Sequence, residues 1–194
     1  MVVTGGCGGI GSAFVHRFVN DGAFVAIVDN CDSSKVFAIV APEDAPKVKF
    51  YHCDISSQGQ CIATVKTIQA HFGKINHLIN SVAYFGSKGL EATEADWAKT
   101  MAVNVAGFSH MAQACYQHMK KISQQEPCSI VNLSSISAHK TQPDRWTYAA
   151  SKGAVNILTK SMAYDLGKDK IRVNSISPSW TWTPEVSKID PEGK

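Results

Sequence analysis

The sequence predicts an α/β fold, a doubly wound parallel sheet with helices on both faces in three α/β/α layers. Three observations lead there. Short apolar runs alternate with longer amphipathic stretches along the whole chain. A glycine-rich turn joins the first run to the first amphipathic stretch, and the second run ends on an acidic residue, Asp29.

The elements follow in order. Met1, Val2 and Val3 read as the end of a buried strand, and residues 4–11, Thr-Gly-Gly-Cys-Gly-Gly-Ile-Gly, form the turn. A helix is predicted over residues 12–20. Ile10, Phe14 and Phe18 recur at helical spacing and are expected to hold it against the sheet, with His16, Arg17 and Asn20 towards solvent. Residues 23–28 are the second strand. A second helix should precede a loop at residues 41–46, where Pro42 and Pro46 interrupt regular structure. Further strands are predicted near residues 48–51, 77–80, 129–133 and 171–176. Helices are predicted near 58–72, 93–121 and 147–166, the middle one broken near 103–107. No repeat, low-complexity tract or linker divides residues 1–194, which read as one domain.

Composition narrows the function. With 194 residues, 44% of them hydrophobic, the chain can bury a substantial core without needing two domains. The formal charge of +3 is dispersed, and Lys168, Lys170 and Arg172 form its one notable cluster, which gives no nucleic-acid footprint. No apolar run approaches the roughly 18 residues of a membrane span and no signal segment opens the chain, so no membrane partner and a cytoplasmic address are expected. Six cysteines, at 7, 31, 53, 61, 115 and 128, contain no Cys-x-x-Cys pair and are expected to be reduced thiols. The seven histidines lack metal-binding spacing, so no metal is expected.

The glycine turn and Asp29 carry binding chemistry. Glycines let a backbone approach a pyrophosphate closely, and the following helix presents free N–H groups and a favourable dipole. Such a turn is weak evidence alone, but strand, turn, helix and a second strand ending in a carboxylate complete a βαβ dinucleotide signature. Asp29 can accept from both ribose hydroxyls and would repel the extra phosphate of NADP. No Lys or Arg stands within the turn or immediately after Asp29, so NAD is the expected cofactor.

Tyr148 and Lys152 share a helix face at i, i+4. An exposed pair would satisfy the same spacing, and the glycine turn upstream is what favours a catalytic reading. A phenol with a reference pKa of about 10 becomes a base near neutrality only if its phenolate is stabilised. Lowering it by roughly 3 requires about 4 kcal/mol, comparable to the attraction of unit charges roughly 4 Å apart at an effective dielectric near 20. Lys152 is expected to supply that attraction.

The order of these motifs resembles the short-chain dehydrogenase/reductase family along nearly the whole chain. Residues 4–11 resemble its Thr-Gly-x-x-x-Gly-x-Gly turn, and Tyr148 to Lys152 its active-site pair. The resemblance implies a Rossmann-type sheet. It implies cofactor contacts at Thr4, Gly5, Gly9, Ile10, Gly11, Asp29, Asp54, Ile55, Asn80, Tyr148, Lys152, Pro178 and Thr183, with Asp54 and the Ile55 backbone at the adenine. It also implies catalytic roles for Asn104, Ser135, Tyr148 and Lys152. Ser135 rather than Ser134 matches the family serine, because it lies 13 residues before Tyr148. By the same resemblance, Tyr148 exchanges the proton of a secondary alcohol or ketone while hydride passes to or from NAD. Ser135 steadies the substrate oxygen, Lys152 also holds the nicotinamide ribose, and Asn104 positions a water linked to Lys152.

Departures from the family pattern carry expectations of their own. Asn80-Ser81-Val82-Ala83 replaces the family's Asn-Asn-Ala-Gly, and Pro178-Ser179 its Pro-Gly, which predicts a different backbone path beside the cofactor. Trp146, Trp180 and Trp182 offer either an aromatic substrate wall or ordinary packing. Family members usually continue beyond this point through a substrate-covering helix and a final strand, so the chain reads as a fragment or shortened isoform with the strand at 171–176 on the sheet edge. A full-length relative is expected to be a homo-oligomer, and the state of this chain is left open. The alternative to an enzyme is an inactive nucleotide-binding remnant or interaction protein.

Overall fold

A computed structural model describes residues 1–38 and 40–189. Six parallel strands, β1 (Val2–Thr4), β2 (Val25–Asp29), β3 (Val48–His52), β4 (His77–Asn80), β5 (Cys128–Leu133) and β6 (Ile171–Ile176), lie in the order β3-β2-β1-β4-β5-β6. The order reverses between β1 and β4, and a crevice opens there beyond the strand ends. The register sets Thr4 opposite both Val28 and Asn80, and Asn80 opposite Asn132, so the strand ends align along one rim.

Strand alternation divides the core in two. Val2, Ala26, Val28, Leu78 and Ile130 face one side, under Val65, Phe108, Met111 and Val155 from the helices α2 (Gln58–Phe72), α4 (Gly107–Ile122) and α5 (Trp146–Gly167). Val3, Val25, Ile27, Ile79 and Leu133 face the other, under α1 (Gly9–Asn20). The three-layer, doubly wound arrangement expected from the sequence is therefore present.

The buried stripe of α1 is Gly11, Val15 and Val19, one position round from the expected Ile10, Phe14 and Phe18. Those three are half-buried and pack on the core margin, and the two phenylalanine rings stack 6.1 Å apart. The close approach of Gly11 to the turn pulls the helix axis towards its small-residue side. Among the described residues no α-helix joins β2 to β3: two 3₁₀ segments, Ser33–Ala38 and Pro42–Lys47, lie between them, the second carrying the prolines at 42 and 46 that disfavour an α-ladder.

The break predicted near residues 103–107 takes a specific form. Helix α3 (Glu94–Met101) opens on a capping box at Thr93 and Asp96, then passes through a π-turn at Ala102–Ala106 into α4 without a loop. Asn104 sits in that turn, wholly buried.

Candidate active site

A cleft of about 390 Å³ runs along the rim of strand ends, from Asp29 beyond β2 to Tyr148 at the start of α5. Its floor is the glycine turn. Gly5 adopts φ +66°, a left-handed conformation that a side chain rarely tolerates, and brings the turn against the Ser81–Val82 backbone. A Cβ on Gly11 would lie 2.0 Å from the Gly5 carbonyl oxygen, so the helix starts where only glycine fits. No side chain of the described residues caps the N-terminus of α1, and Gly8, Gly9, Ile10 and Gly11 at that end line the cleft.

Asp29 is held from two sides. Its carboxylate accepts from the Cys7 backbone N–H at 3.0 Å and from that of Cys31 at 3.2 Å. Each oxygen keeps further lone pairs for a ligand. Lys35 also lines the cleft at this end. Sequence proximity missed it, because the 3₁₀ segment folds residue 35 back towards Asp29 and Cys31.

At the other end, Tyr148, Ser135 and Lys152 converge. Tyr148 is 5% exposed and Lys152 1% exposed. The Lys152 Nζ donates to the Leu133 carbonyl at 2.8 Å, lies 5.7 Å from the Tyr148 ring centroid and 5.3 Å from that of Phe108. Burial lowers this amine from 10.5 to about 7. Burial also pushes the Tyr148 phenol above its ordinary value, against the Ser135 hydrogen bond and the Arg145 charge, which pull it down. The expected lowering of Tyr148 by Lys152 is thus not found among the protein groups alone. Desolvation is the leading cause at both groups and disfavours the charged form of each.

The two serines divide their work. Ser134 donates to the Lys152 carbonyl at 3.0 Å, whereas the Ser135 hydroxyl accepts from the Ser137 N–H at 3.1 Å and bears on Tyr148. Phe85 stacks on the Tyr148 ring at 5.5 Å, and Arg145 lies 5.4 Å from the Trp180 ring, so an aromatic face and a cation border the phenol. Neither was anticipated. Arg145 stands one helical turn before Tyr148, and that spacing was the available signal. Of Trp146, Trp180 and Trp182, Trp180 lines the cleft.

The remaining predicted residues fall into two groups. Pro178 and Thr183 line the cleft, where Thr183 leaves no room for a Cβ on Gly9 and its hydroxyl accepts from the Val186 N–H at 3.3 Å. Thr4, Asn80, Asn104, Asp54 and Ile55 stand outside the cleft wall. Thr4 accepts from the Ser81 N–H at 3.1 Å, and Asn80 donates to Asn132 Oδ1 at 2.9 Å. Asn104 accepts from the Tyr84 N–H at 2.7 Å and donates to the Tyr84 carbonyl and the Ser151 hydroxyl, each at 3.1 Å. Asp54 accepts from the Ser56 N–H at 2.9 Å, and the Ile55 carbonyl is 3.0 Å from His110 Nδ1.

A βαβ crevice at the sheet's switch point, with a buried Tyr and Lys at one end and a strand-end carboxylate at the other, defines a dinucleotide-dependent class of protein. The family profile described as Enoyl-(Acyl carrier protein) reductase matches residues 5–194. The chain is 36% identical over 192 residues to a probable galactose dehydrogenase, GalD, of Rhizobium meliloti (strain 1021), covering 97% of this chain and 74% of that one. NAD+-bound xylitol dehydrogenase superposes with a TM-score of 0.89 at 31% identity, over 98% of this chain and 74% of that one. ElxO with NADP bound superposes at 0.90 and 26% identity, over 99% and 77%. The chain belongs to the short-chain dehydrogenase/reductase family and so among the oxidoreductases, with a Rossmann-type sheet. It spans 66% of the length of the L-fucose dehydrogenase of Mus musculus, to which it is 30% identical over 186 residues. Among the described residues no helix is long and apolar enough to cross a membrane.

Proposed function

We propose that residues 1–194 form one NAD(H)-dependent oxidoreductase domain that interconverts a secondary alcohol and its ketone, with Tyr148 as the general acid and base. The observation that carries this reading is convergence: Tyr148, Ser135 and Lys152 share one cleft with the glycine turn and Asp29. The cleft also suits a dinucleotide, since the glycine turn forms its floor and no side chain of the described residues caps the N-terminus of α1.

A bound nicotinamide cofactor would accept or supply hydride; the chain's own groups do the rest. Gly9, Ile10 and Gly11 offer backbone N–H groups to the pyrophosphate, while Gly5, whose own N–H donates to the Val28 carbonyl, shapes the turn beneath it. Asp29 accepts from the adenosine ribose, while Pro178 and Thr183 border the nicotinamide end. Ser135 donates to the substrate oxygen and stabilises charge there. Tyr148 carries its proton near neutrality because burial raises its phenol, so it is ready to protonate a ketone oxygen as the carbinol forms. For oxidation it must first lose that proton, which a protonated Lys152 favours. Lys152 also holds the nicotinamide ribose. Asn104 acts as a positioning residue, because its amide ties the Tyr84 backbone to Ser151, whose hydroxyl donates to the Tyr148 carbonyl at 2.7 Å. Thr4 and Asn80 brace the rim beneath the cofactor.

NAD is favoured over NADP by the Asp29 carboxylate at the ribose end, where a phosphate would be repelled; Lys35 reduces that preference without reversing it. Calorimetric titration with NADH and NADPH, followed by a screen of secondary alcohols and ketones, tests the reading. Selective NADH binding with turnover is expected. A folded chain that binds neither would overturn it.

A further inference from the structure

Outside the reacting end, a second group of chemically active side chains meets at Asp29. Cys7 lies in the glycine turn and Cys31 two residues past β2, yet the two thiol sulfurs and an Asp29 carboxylate oxygen all lie within 4.8 Å of one another. Backbone bonds fix this arrangement: the Cys7 and Cys31 N–H groups grip opposite oxygens of Asp29, the Gly5 N–H donates to the Val28 carbonyl at 2.8 Å, and the Cys53 N–H donates to the Asp29 carbonyl at 2.9 Å. All three side chains are half-buried on the cleft wall, so ions in solvent reach them.

We propose that Cys7, Asp29 and Cys31 form a binding site for one thiophilic divalent cation, of which zinc is the type. Two sulfurs and one carboxylate oxygen are a ligand set such ions prefer. A tetrahedral ion with metal–sulfur bonds of about 2.3 Å holds its sulfurs about 3.8 Å apart, so the group needs to close by about 1 Å at most. The fourth position faces the cleft and takes water. On binding, each thiol gives its proton to solvent and forms one sulfur–metal bond, while Asp29 contributes one carboxylate oxygen. No electron transfer is involved. Resting on Asp29 as the ribose ligand, the ion and the dinucleotide compete for the same carboxylate, so zinc inhibits cofactor binding.

The test is titration of the chelator-treated, reduced full chain with cobalt(II), which reports thiolate coordination by a sulfur-to-metal charge-transfer band. Saturation at one ion per chain is expected, with release of two protons. Cys7→Ser and Cys31→Ser should each roughly halve the band and weaken binding at least tenfold. Cys31 lies outside the glycine turn, so it keeps the assignment testable if Cys7→Ser disturbs the turn. NADH titration at rising zinc should show an apparent Kd that climbs with metal. Absence of the band, or its full intensity and affinity in both variants, overturns the site. A band with unchanged NADH affinity overturns the competition. A chelated chain that binds no NADH defeats the dinucleotide reading instead, and the cobalt spectrum still decides the site.

Discussion

Replacing Lys152 with Met should make the protein more stable and less active, with a pH signature that identifies the cause. The Lys152 amine is almost wholly buried, makes one hydrogen bond to the Leu133 carbonyl and is lowered from 10.5 to about 7. Between those values the unfolded chain binds a proton that the folded chain does not, so unfolding free energy rises with pH across that window. The cost of carrying the charge inside is full below about 7 and gone above about 10.5. At about 1.4 kcal/mol per tenfold change it amounts to about 5 kcal/mol. Methionine removes that cost while roughly preserving length, but leaves the Leu133 carbonyl without its donor, a loss of about 1–3 kcal/mol. We predict that Lys152→Met is more stable by about 2–4 kcal/mol at pH 6.5, and that the difference shrinks and changes sign by about pH 10.5. Urea denaturation of both proteins at several pH values measures this directly. A stability difference that does not vary with pH would refute the reasoning.

Other outcomes follow from the same geometry. Tyr148→Phe should lower turnover by roughly 10²- to 10⁴-fold while NADH affinity stays within a few-fold, which steady-state kinetics and calorimetry together report. Asp29→Ala removes charge-assisted hydrogen bonds worth about 1.5–3 kcal/mol, so NADH affinity should fall roughly 10- to 150-fold and discrimination against NADPH should narrow. Gly11→Ala drives a methyl into the Gly5 carbonyl and should destabilise the protein by about 1–3 kcal/mol, seen as a lowered Tm, with NADH binding weakened as the turn shifts.

What was legible in the sequence was whatever depends on local spacing. Strand alternation, the glycine turn and the i, i+4 pair are short-range patterns, and the six strands and the cleft follow from them. The stripe of α1 was misread because Phe14 and Phe18 outweigh Val15 and Val19 in hydrophobicity, while the tight seat of Gly11 settles the helix rotation. At Tyr148, adjacency on a helix shows the pairing with Lys152 but not the burial that raises the phenol and lowers the amine. Lys35, Phe85, Arg145 and the meeting of Cys7 with Cys31 arise from loops folding across the strand ends, and one-dimensional spacing carries little trace of them.

The π-turn at Ala102–Ala106 makes the rod from α3 to α4 sensitive to length in a way a loop would not be. A π-turn accommodates one residue more than the α-ladder around it, and one residue corresponds to about 100° of rotation. Deleting a single residue there would let the α-ladder run through. Either Asn104 would swing off Tyr84 and Ser151, or the apolar row of Phe108, Met111, Cys115 and Met119 would turn off the sheet. That extra residue lets one continuous helix serve two masters, the core along its length and the Tyr84 clamp at its bend.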